Sequence, residues 1–173
     1  MKLIEPTMDY DRQIQAYRSE FLFPGASMDG GGGLRKCGST AEWLALIERL
    51  KRSETAAPEY VRSSQYIYVR EEDEKIVGVI QIRHELNEYL KKFGGHIGYS
   101  VAPSERRKGY ATRMLAEALG KCREAGLTWV LITCFPENEG SRRTIQKNGG
   151  VYLDTIPYED TPGQMIERYR IDL

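Results

Sequence analysis

A short basic loop in the middle of the chain has the residue types that bind a phosphorylated ligand. In the run IGYSVAPSERRKGYA, a strand-like segment leads into Arg106, Arg107, Lys108 and Gly109, and an amphipathic stretch follows at once. Backbone N–H groups at the start of a helix attract anions, and a glycine lets the backbone approach phosphate oxygens closely. The pattern therefore predicts a pyrophosphate site, although the same residues could form a solvated turn that opens a helix.

Side chains that can move protons are concentrated just before this loop. The two histidines of the chain, His84 and His96, lie there with Glu85 and Tyr99. An imidazole titrates near neutral pH, which suits a base that takes a proton from an amine. All four are catalytic candidates: Glu85 and His96 are the first choices for the base and His84 the next, because they lie at or next to the ends of the two strands that lead into the loop, and the Tyr99 phenol is a candidate proton donor. For either histidine alone, a local structural hydrogen bond explains its presence equally well.

Four consecutive glycines, Gly30 to Gly33, do not complete a known phosphate-binding motif. A P-loop requires Gly-Lys-Ser/Thr, whereas Leu34, Arg35 and Lys36 follow here. A dinucleotide motif begun at Gly30 meets Arg35 in place of its last glycine. We expect a flexible loop over a substrate cleft instead.

The elements that must position these residues follow the order β-α-α-β-β-β-α-β-α-β-β. The nearly continuous apolar run WVLITCF predicts a central strand that is buried on both faces. This order predicts an α/β (α+β) fold, in which a mixed sheet carries helices on both faces. The predicted strands are Lys2–Glu5, Tyr66–Arg70, Ile76–Arg83, His96–Val101, Trp129–Phe135, Val151–Ile156 and Met165–Ile171. The predicted helices are Met8–Phe23 (ended by Pro24-Gly25), one from Thr40 to Leu50 (ended by Thr55–Pro58), a short segment in His84–Phe93, Gly109–Ala125 and Ser141–Asn148.

Composition narrows the class of protein. The 173 residues predict a single domain, 1–173, and a formal net charge of zero argues against a general nucleic-acid binder. Three cysteines, Cys37, Cys122 and Cys134, have no metal-ligand spacing, which is typical of a reduced compartment. Cys134 is expected to be a buried structural cysteine rather than a nucleophile. Because no signal peptide or membrane-spanning apolar run is found, we expect a cytoplasmic protein that contacts no membrane.

Two segments resemble the signatures of the GNAT superfamily of N-acetyltransferases. The spacing Arg106-x-x-Gly109-x-Ala111 resembles the Arg/Gln-x-x-Gly-x-Gly/Ala signature for acetyl-CoA. The run NEGSRRTIQKNG, from Asn138 to Gly149, is similar to a second signature, in which an Asn precedes a short helix that ends at Lys-x-Gly. An N-cap and a C-cap around a surface helix would also explain this run. The runs IRHELN and GGHIGY are similar to one branch of predicted acetyltransferases.

The resemblance implies the GNAT fold, a mostly antiparallel mixed sheet whose central strands Ile97–Val101 and Trp129–Phe135 splay apart. A bulge near Tyr99 to Val101 would make that opening, and acetyl-CoA would lie in it without any metal. Asn138 would contact the pantetheine arm, and Ser141 would lie near the cofactor. The residues implied for acetyl-CoA binding are Val101, Arg106, Arg107, Lys108, Gly109, Tyr110, Ala111, Asn138 and Ser141.

The resemblance also implies direct attack of a primary amine, on a small molecule or a peptide, on the thioester in a ternary complex. Many members carry a Tyr that protonates the departing thiolate, and Ile145 stands at that position here. Tyr99 could take over that role. Two other classes stay open: a catalytically inactive acyl-CoA-binding regulator, favoured slightly by Ile145, and a protein-interaction domain of the same fold. A homodimer is possible.

Overall fold

The computed structural model describes residues 1–23, 27–52 and 60–173, and the predicted order of strands and longer helices is confirmed there. The predicted helix ends at Pro24-Gly25 and Thr55–Pro58 lie outside these residues. The strands are β1 (Lys2–Ile4), β2 (Ser63–Arg70), β3 (Lys75–Arg83), β4 (Ile97–Val101), β5 (Trp129–Cys134), β6 (Val151–Pro157) and β7 (Met165–Asp172). The α-helices are α1 (Asp11–Ser19), α2 (Thr40–Leu50), α3 (Tyr110–Glu124) and α4 (Glu139–Lys147). Short turns of other helix types cover Met8–Tyr10, Leu34–Lys36, Leu90–Gly94 and Pro103–Glu105.

The strands form two antiparallel sheets, one in the order β1-β2-β3-β4 and one in the order β5-β7-β6. Helices cover both faces of the first sheet, as predicted. Residues Met114, Leu115 and Ala118 of α3 are fully buried in the core on one face. Residues Ile14 of α1 and Trp43 of α2 are buried in the core on the other face. The fold class expected from the sequence is therefore confirmed, and its splayed strands are β4 and β5.

His96, just before β4, joins the two sheets at one point. Its carbonyl accepts the N–H of Arg83 (2.7 Å), and its own N–H donates to the carbonyl of Leu131 (2.7 Å). The N–H of Leu131 in turn donates to the Nδ1 atom of the His96 ring (2.9 Å). No ladder pairs join β4 to β5 among the residues that the structure describes, so the two strand edges are free of each other beyond this junction.

Two predictions about these strands are wrong. The expected bulge near Tyr99 to Val101 is absent, because β4 pairs with β3 in continuous register from Ile97 to Val101. The gap arises instead because β4 and β5 separate beyond the hydrogen bond between His96 and Leu131. Strand β5 is buried on both faces from Val130 to Ile132, as predicted, but it is not a central strand, because it is an edge of its own sheet.

Two predicted helices are shorter in the structure. Helix α1 ends at Ser19, whose hydroxyl bonds back to the carbonyl of Ala16 (2.7 Å), and Leu22 is exposed rather than buried. The helical turn before β4 begins only after Asn87, because the Asn87 side chain accepts the N–H of Leu90 (2.9 Å) and caps that turn.

The glycine-rich loop packs directly on β4 and also lines a large cleft, as expected from the sequence. The carbonyl of Gly30 accepts the Gln65 amide (2.9 Å), and the carbonyl of Gly31 accepts the Trp43 indole N–H (2.9 Å). Gly30 has φ +69°, and a Cβ on it would lie 1.9 Å from the carbonyl oxygen of Gly98. Two glycines in contact thus bring the loop backbone against β4.

We expect Gly30→Ala to destabilise the fold by at least about 2 kcal/mol more than Gly126→Ala, measured by urea unfolding. Both substitutions introduce a Cβ at positive φ, but Gly126 has open space around it. The backbone strain, about 1–2 kcal/mol, is therefore shared, and the difference reports the overlap with Gly98. Equal losses in the two variants would contradict this packing.

Candidate active site

The basic loop leaves β4 and opens α3 at a set of unused backbone donors. Arg107 has φ +64° and Gly109, which precedes the first residue of α3, has φ +78°. In the described part of the chain, the backbone N–H groups of residues 107–112 donate no hydrogen bond. A Cβ placed on Gly109 would meet nothing within 4 Å, so the space in front of the loop is open. Such concave runs of N–H groups at a helix start bind anions.

A buried carboxylate, which the sequence did not single out, holds this loop in place. Glu105 is 4% exposed, and it binds Lys108 (2.8 Å), Lys75 (2.9 Å) and Arg70 (2.9 Å). Hydrogen bonds from Lys108 and Lys75, with a further one from Arg70, lower the pKa of the Glu105 carboxyl to about 2. The ammonium group of Lys108 is therefore paired with a carboxylate of the protein itself. A sequence signal did exist, since Glu105 lies three residues before Lys108.

Two cations of the loop, Arg106 and Arg107, are not bound by Glu105. Arg106 donates its Nε–H to the carbonyl of Val101 (3.3 Å), so that the end of β4 is tied to the loop. Arg107 is exposed, and no ion pair is found for Arg106 or Arg107 among the described residues. The hydroxyl of Tyr110 accepts a hydrogen bond from Arg70 (3.1 Å), which fixes the first residue of α3. Ala111 follows in the first turn of that helix.

Across the gap, Tyr99 meets the start of α4. Its hydroxyl lies 2.9 Å from the Oγ atom of Ser141, and burial raises the pKa of Tyr99 well above its usual range. The side-chain oxygen of Asn138 accepts the N–H of Ser141 (3.1 Å), so Asn138 is the N-cap of α4. Ile145, further along α4, is fully buried. Tyr99 and Ser141, predicted for different roles, therefore lie together at the gap.

His96 has its ring committed to the junction between the sheets. The Nδ1 atom accepts a backbone N–H and the ring packs edge-on against Trp129, with centroids 5.2 Å apart. Burial, with the nearby charge of Arg83, lowers the pKa of His96 to about 4. The imidazole is therefore neutral at physiological pH, and its Nδ1 lone pair is already in use.

The other two catalytic candidates lie together at the end of β3, away from Tyr99. The Nε2 atom of His84 lies 2.8 Å from the hydroxyl of Ser64, and burial lowers the pKa of His84. Glu85 is exposed and accepts the N–H of Arg62 (3.3 Å). His84 lines a pocket of about 440 Å³ with residues of α3. The catalytic roles of His84, Glu85, His96 and Tyr99 stay predictions.

Cys134, at the end of β5, is buried as expected. Burial and the charge of Glu167 raise the pKa of its thiol to about 11, which keeps the thiolate scarce at neutral pH.

A large open cleft borders the glycine-rich loop and the end of β3. Its volume is about 1450 Å³, and it is lined by the glycine-rich loop, α2, and side chains that include Asp29, Arg83 and Tyr89. Gly98 of β4 is covered by Gly30 of this loop, whereas Tyr99, the next residue along the strand, faces α4. The glycine-rich loop therefore borders the cleft and also contacts β4.

The model of the acetyltransferase (GNAT) family matches residues 38–150. The chain belongs to the acetyltransferase (GNAT) family. It is an acyltransferase of that family, with the basic loop, the gap and the start of α4 inside or next to the matched region. No curated protein sequence matches the chain at a significant level.

Solved structures share the fold at low sequence identity. RimJ from Mycobacterium smegmatis, in complex with CoA-disulfide, is 20% identical, with 98% of this chain and 80% of that chain covered and a TM-score of 0.67. The ribosomal-protein-S5-alanine acetyltransferase from Vibrio fischeri is 16% identical, with 98% and 91% covered and a TM-score of 0.68. A spermidine N-acetyltransferase SpeG chimera from Vibrio cholerae and hSSAT is 15% identical, with 99% and 96% covered and a TM-score of 0.65.

The described residues of this acetyltransferase contain neither a membrane-spanning helix nor a cluster of metal ligands. No helix in residues 1–23, 27–52 and 60–173 is long and apolar enough to span a membrane. Within those same ranges, no group of three or more His, Cys, Asp or Glu side chains is placed to hold a metal ion.

Replacing Glu105 by Gln in the acetyltransferase should cost about 3 kcal/mol of stability at pH 7, because three cations lose their shared carboxylate. The pKa of Glu105 is depressed from 4.5 to about 2 in the fold, so its contribution is present above pH 4.5 and is lost as the pH falls to about 2. Urea unfolding across this range should show that the variant lacks this step. The exposed Glu72→Gln variant should keep it, and a step of the same size in Glu105→Gln would contradict the assignment.

His96→Asn should keep the junction, since the Asn side-chain oxygen can accept the N–H of Leu131 in place of Nδ1. The pKa of His96 is depressed from 6.5 to about 4, so the wild type should lose about 3 kcal/mol as the pH falls from 6.5 to 4. The Asn variant should lose less over this interval. His96→Leu, which leaves a buried N–H unpaired, should be about 1–3 kcal/mol less stable than His96→Asn at pH 7. If Leu and Asn are equally stable, the ring bond is not what joins the sheets.

Proposed function

We propose that this acetyltransferase moves the acetyl group of acetyl-CoA to a primary amine by direct attack in a ternary complex. The observation that carries the proposal is the run of unpaired N–H groups at residues 107–112, which opens the 15-residue helix α3 directly after β4. These donors, the positive end of the helix and the cations Arg106 and Arg107 match the charge of a pyrophosphate. Arginine side chains add charge-assisted hydrogen bonds to phosphate oxygens.

The residues of the gap would hold the rest of the cosubstrate. The edges of β4 and β5 present backbone N–H and C=O groups that can pair with the amides of the pantetheine arm, as a further strand would. Val101 lies at the end of that edge, and Asn138 and Ser141 lie at the start of α4. When bound, acetyl-CoA supplies the acetyl thioester.

The reaction requires two proton movements. An acceptor ammonium must lose one proton before its nitrogen forms the new C–N bond, and a second when the amide forms. The C–S bond breaks, and the thiolate that leaves takes up one proton while the other goes to solvent. Tyr99 is the donor that we propose for the thiolate, because a phenol is protonated at neutral pH and its hydroxyl lies beside Ser141 at the gap. Positioning of the two substrates supplies much of the rate.

The candidate bases differ in whether their side chains are already hydrogen-bonded within the protein. The His96 ring is engaged with Leu131, which favours a positioning role, and His84 is engaged with Ser64. Glu85 is exposed, at the end of β3. A protein side chain that acts as the general base contributes about 10²–10⁴-fold to turnover. If solvent accepts the proton instead, Glu85→Gln and His84→Ala should each keep more than a tenth of the wild-type turnover.

A second candidate function, an acyl-CoA-binding regulator without turnover, is favoured by Ile145. This residue stands where many family members carry the Tyr that protonates the thiolate, and its side chain is fully buried. The regulator would be stabilised by acetyl-CoA but would release no CoA with any amine.

Acetyl-CoA at about 100 times its dissociation constant should stabilise the wild type by about 2.7 kcal/mol in thermal or chemical unfolding. Gly109→Val should abolish most of this gain, because its side chain would enter the open space in front of the loop. Gly126→Val, at the other end of α3, introduces the same side chain at a similar φ and should keep the gain. No stabilisation of the wild type by millimolar acetyl-CoA or CoA would contradict the proposal.

A further inference from the structure

Arg83 places a positive charge on the floor of the cleft. It is the last residue of β3, and its Nη1 atom donates to the carbonyls of Gly94 (3.0 Å) and Gly95 (3.1 Å). Its Nη2 atom lies 3.4 Å from the position that a Cβ on Gly98 would take. The guanidinium therefore lies beside Gly98 of β4 and lines the cleft.

This charge has no counter-ion in contact. Over residues 1–23, 27–52 and 60–173, no carboxylate lies within 4 Å of the Arg83 guanidinium and no acceptor is found for Nη2. Burial lowers the pKa of Arg83. By contrast, Arg70 and Arg168 are each paired with a carboxylate at 2.6–2.9 Å. A partly buried guanidinium without a carboxylate partner keeps an uncompensated charge, and an anionic ligand group would offset that cost.

A carboxylate, whose charge is opposite to that of Arg83, borders the same cleft. Asp29, in the glycine-rich loop, is exposed, and the described residues provide no hydrogen bond or ion pair to it. Its charge acts on Arg83, on Tyr158 and on the Tyr99 phenol at the gap. The adjacent Gly30 lies against Gly98, which brings Asp29 close to the edge of β4. Asp29 is thus an exposed negative charge near β4 and the Tyr99 side of the gap.

We propose that the acceptor is an amine that carries a carboxylate close to it, as a free amino acid does. The carboxylate binds the guanidinium of Arg83, and the ammonium group is held by Asp29 next to the gap. The inference rests on the proposed acetyl transfer and adds the substrate class. A bidentate guanidinium–carboxylate contact gives both strength and orientation, and Asp29 then points the nitrogen towards β4. A peptide N-terminus or a polyamine lacks the nearby carboxylate and would leave Arg83 unpaired.

The test is CoA release by the intact chain with matched sets of acceptors. Each set contains an amino acid, its primary carboxamide and the amine that lacks the carboxyl group, together with a dipeptide. We expect kcat/KM for the preferred amino acid to exceed that for its amide by at least about 10-fold, as for loss of a hydrogen-bonded charge pair. Equal or better use of the amides, amines or dipeptides by the wild type would overturn the inference while leaving acetyl transfer intact.

Substitutions test which residues cause the preference for amino acids over their amides. Arg83→Gln should reduce the ratio between acid and amide to near one, mainly through KM, and Arg83→Lys should retain part of it. Lys36→Gln, which removes an exposed cation at the rim of the same cleft, should leave the ratio unchanged. Asp29→Asn should lower kcat/KM for all amines. Acetyl-CoA stabilisation should stay at the wild-type level in each.

Failures of the two proposals look different. If the wild type shows no acetyl-CoA stabilisation, or releases no CoA with any acceptor, acetyl transfer itself fails and the inference falls with it. If transfer occurs and the wild type prefers amino acids, but Arg83→Gln keeps the full preference, the assignment to Arg83 is overturned.

Discussion

One histidine joins the two sheets of this protein, and the candidate active site depends on where that joint lies. His96 bonds to β3 through its carbonyl and to Leu131 of β5 through its backbone N–H and its ring. Each sheet otherwise completes its own antiparallel ladder. Strands β4 and β5 are tied at one end and, over the residues that the structure describes, unpaired beyond it, so the two edges that face each other across the gap are free. Free edges are normally a liability, and their presence here is explained if a ligand completes them.

Local electrostatics divide the basic loop into a structural part and a part left for a ligand. The chain has equal numbers of acidic and basic residues, so its field is not generally attractive to anions. Glu105 consumes the charges of Arg70, Lys75 and Lys108 and thereby anchors the loop. Arg106, Arg107 and the N–H groups at the start of α3 are not consumed in this way. The attraction is therefore concentrated at the helix start, where the family signature lies.

The sequence predicted what local spacing encodes. The amphipathic period of α3, the glycine before it and the cap of α4 by Asn138 all concern residues a few positions apart, and each lies where it was expected. The contacts that shape the site join distant residues. His96 and Leu131 are 35 positions apart, and nothing in the spacing of either residue indicates the partner. The bulge in β4 that the family resemblance implied is absent, and nothing in the local spacing indicates that Glu105 and Arg70 meet across 35 positions.

Amide hydrogen exchange at residues 107–112 would show whether the start of α3 binds the pyrophosphate, because it reports on the proposed donors themselves. In the free protein these N–H groups have no acceptor within the described chain and should exchange rapidly. Saturation with acetyl-CoA should slow several of them by at least about tenfold, since each bond to a phosphate oxygen must open before exchange. Amides near Gly126, at the other end of α3, should change much less. Unchanged exchange at residues 107–112, with acetyl-CoA shown by calorimetry to be bound, would contradict the account.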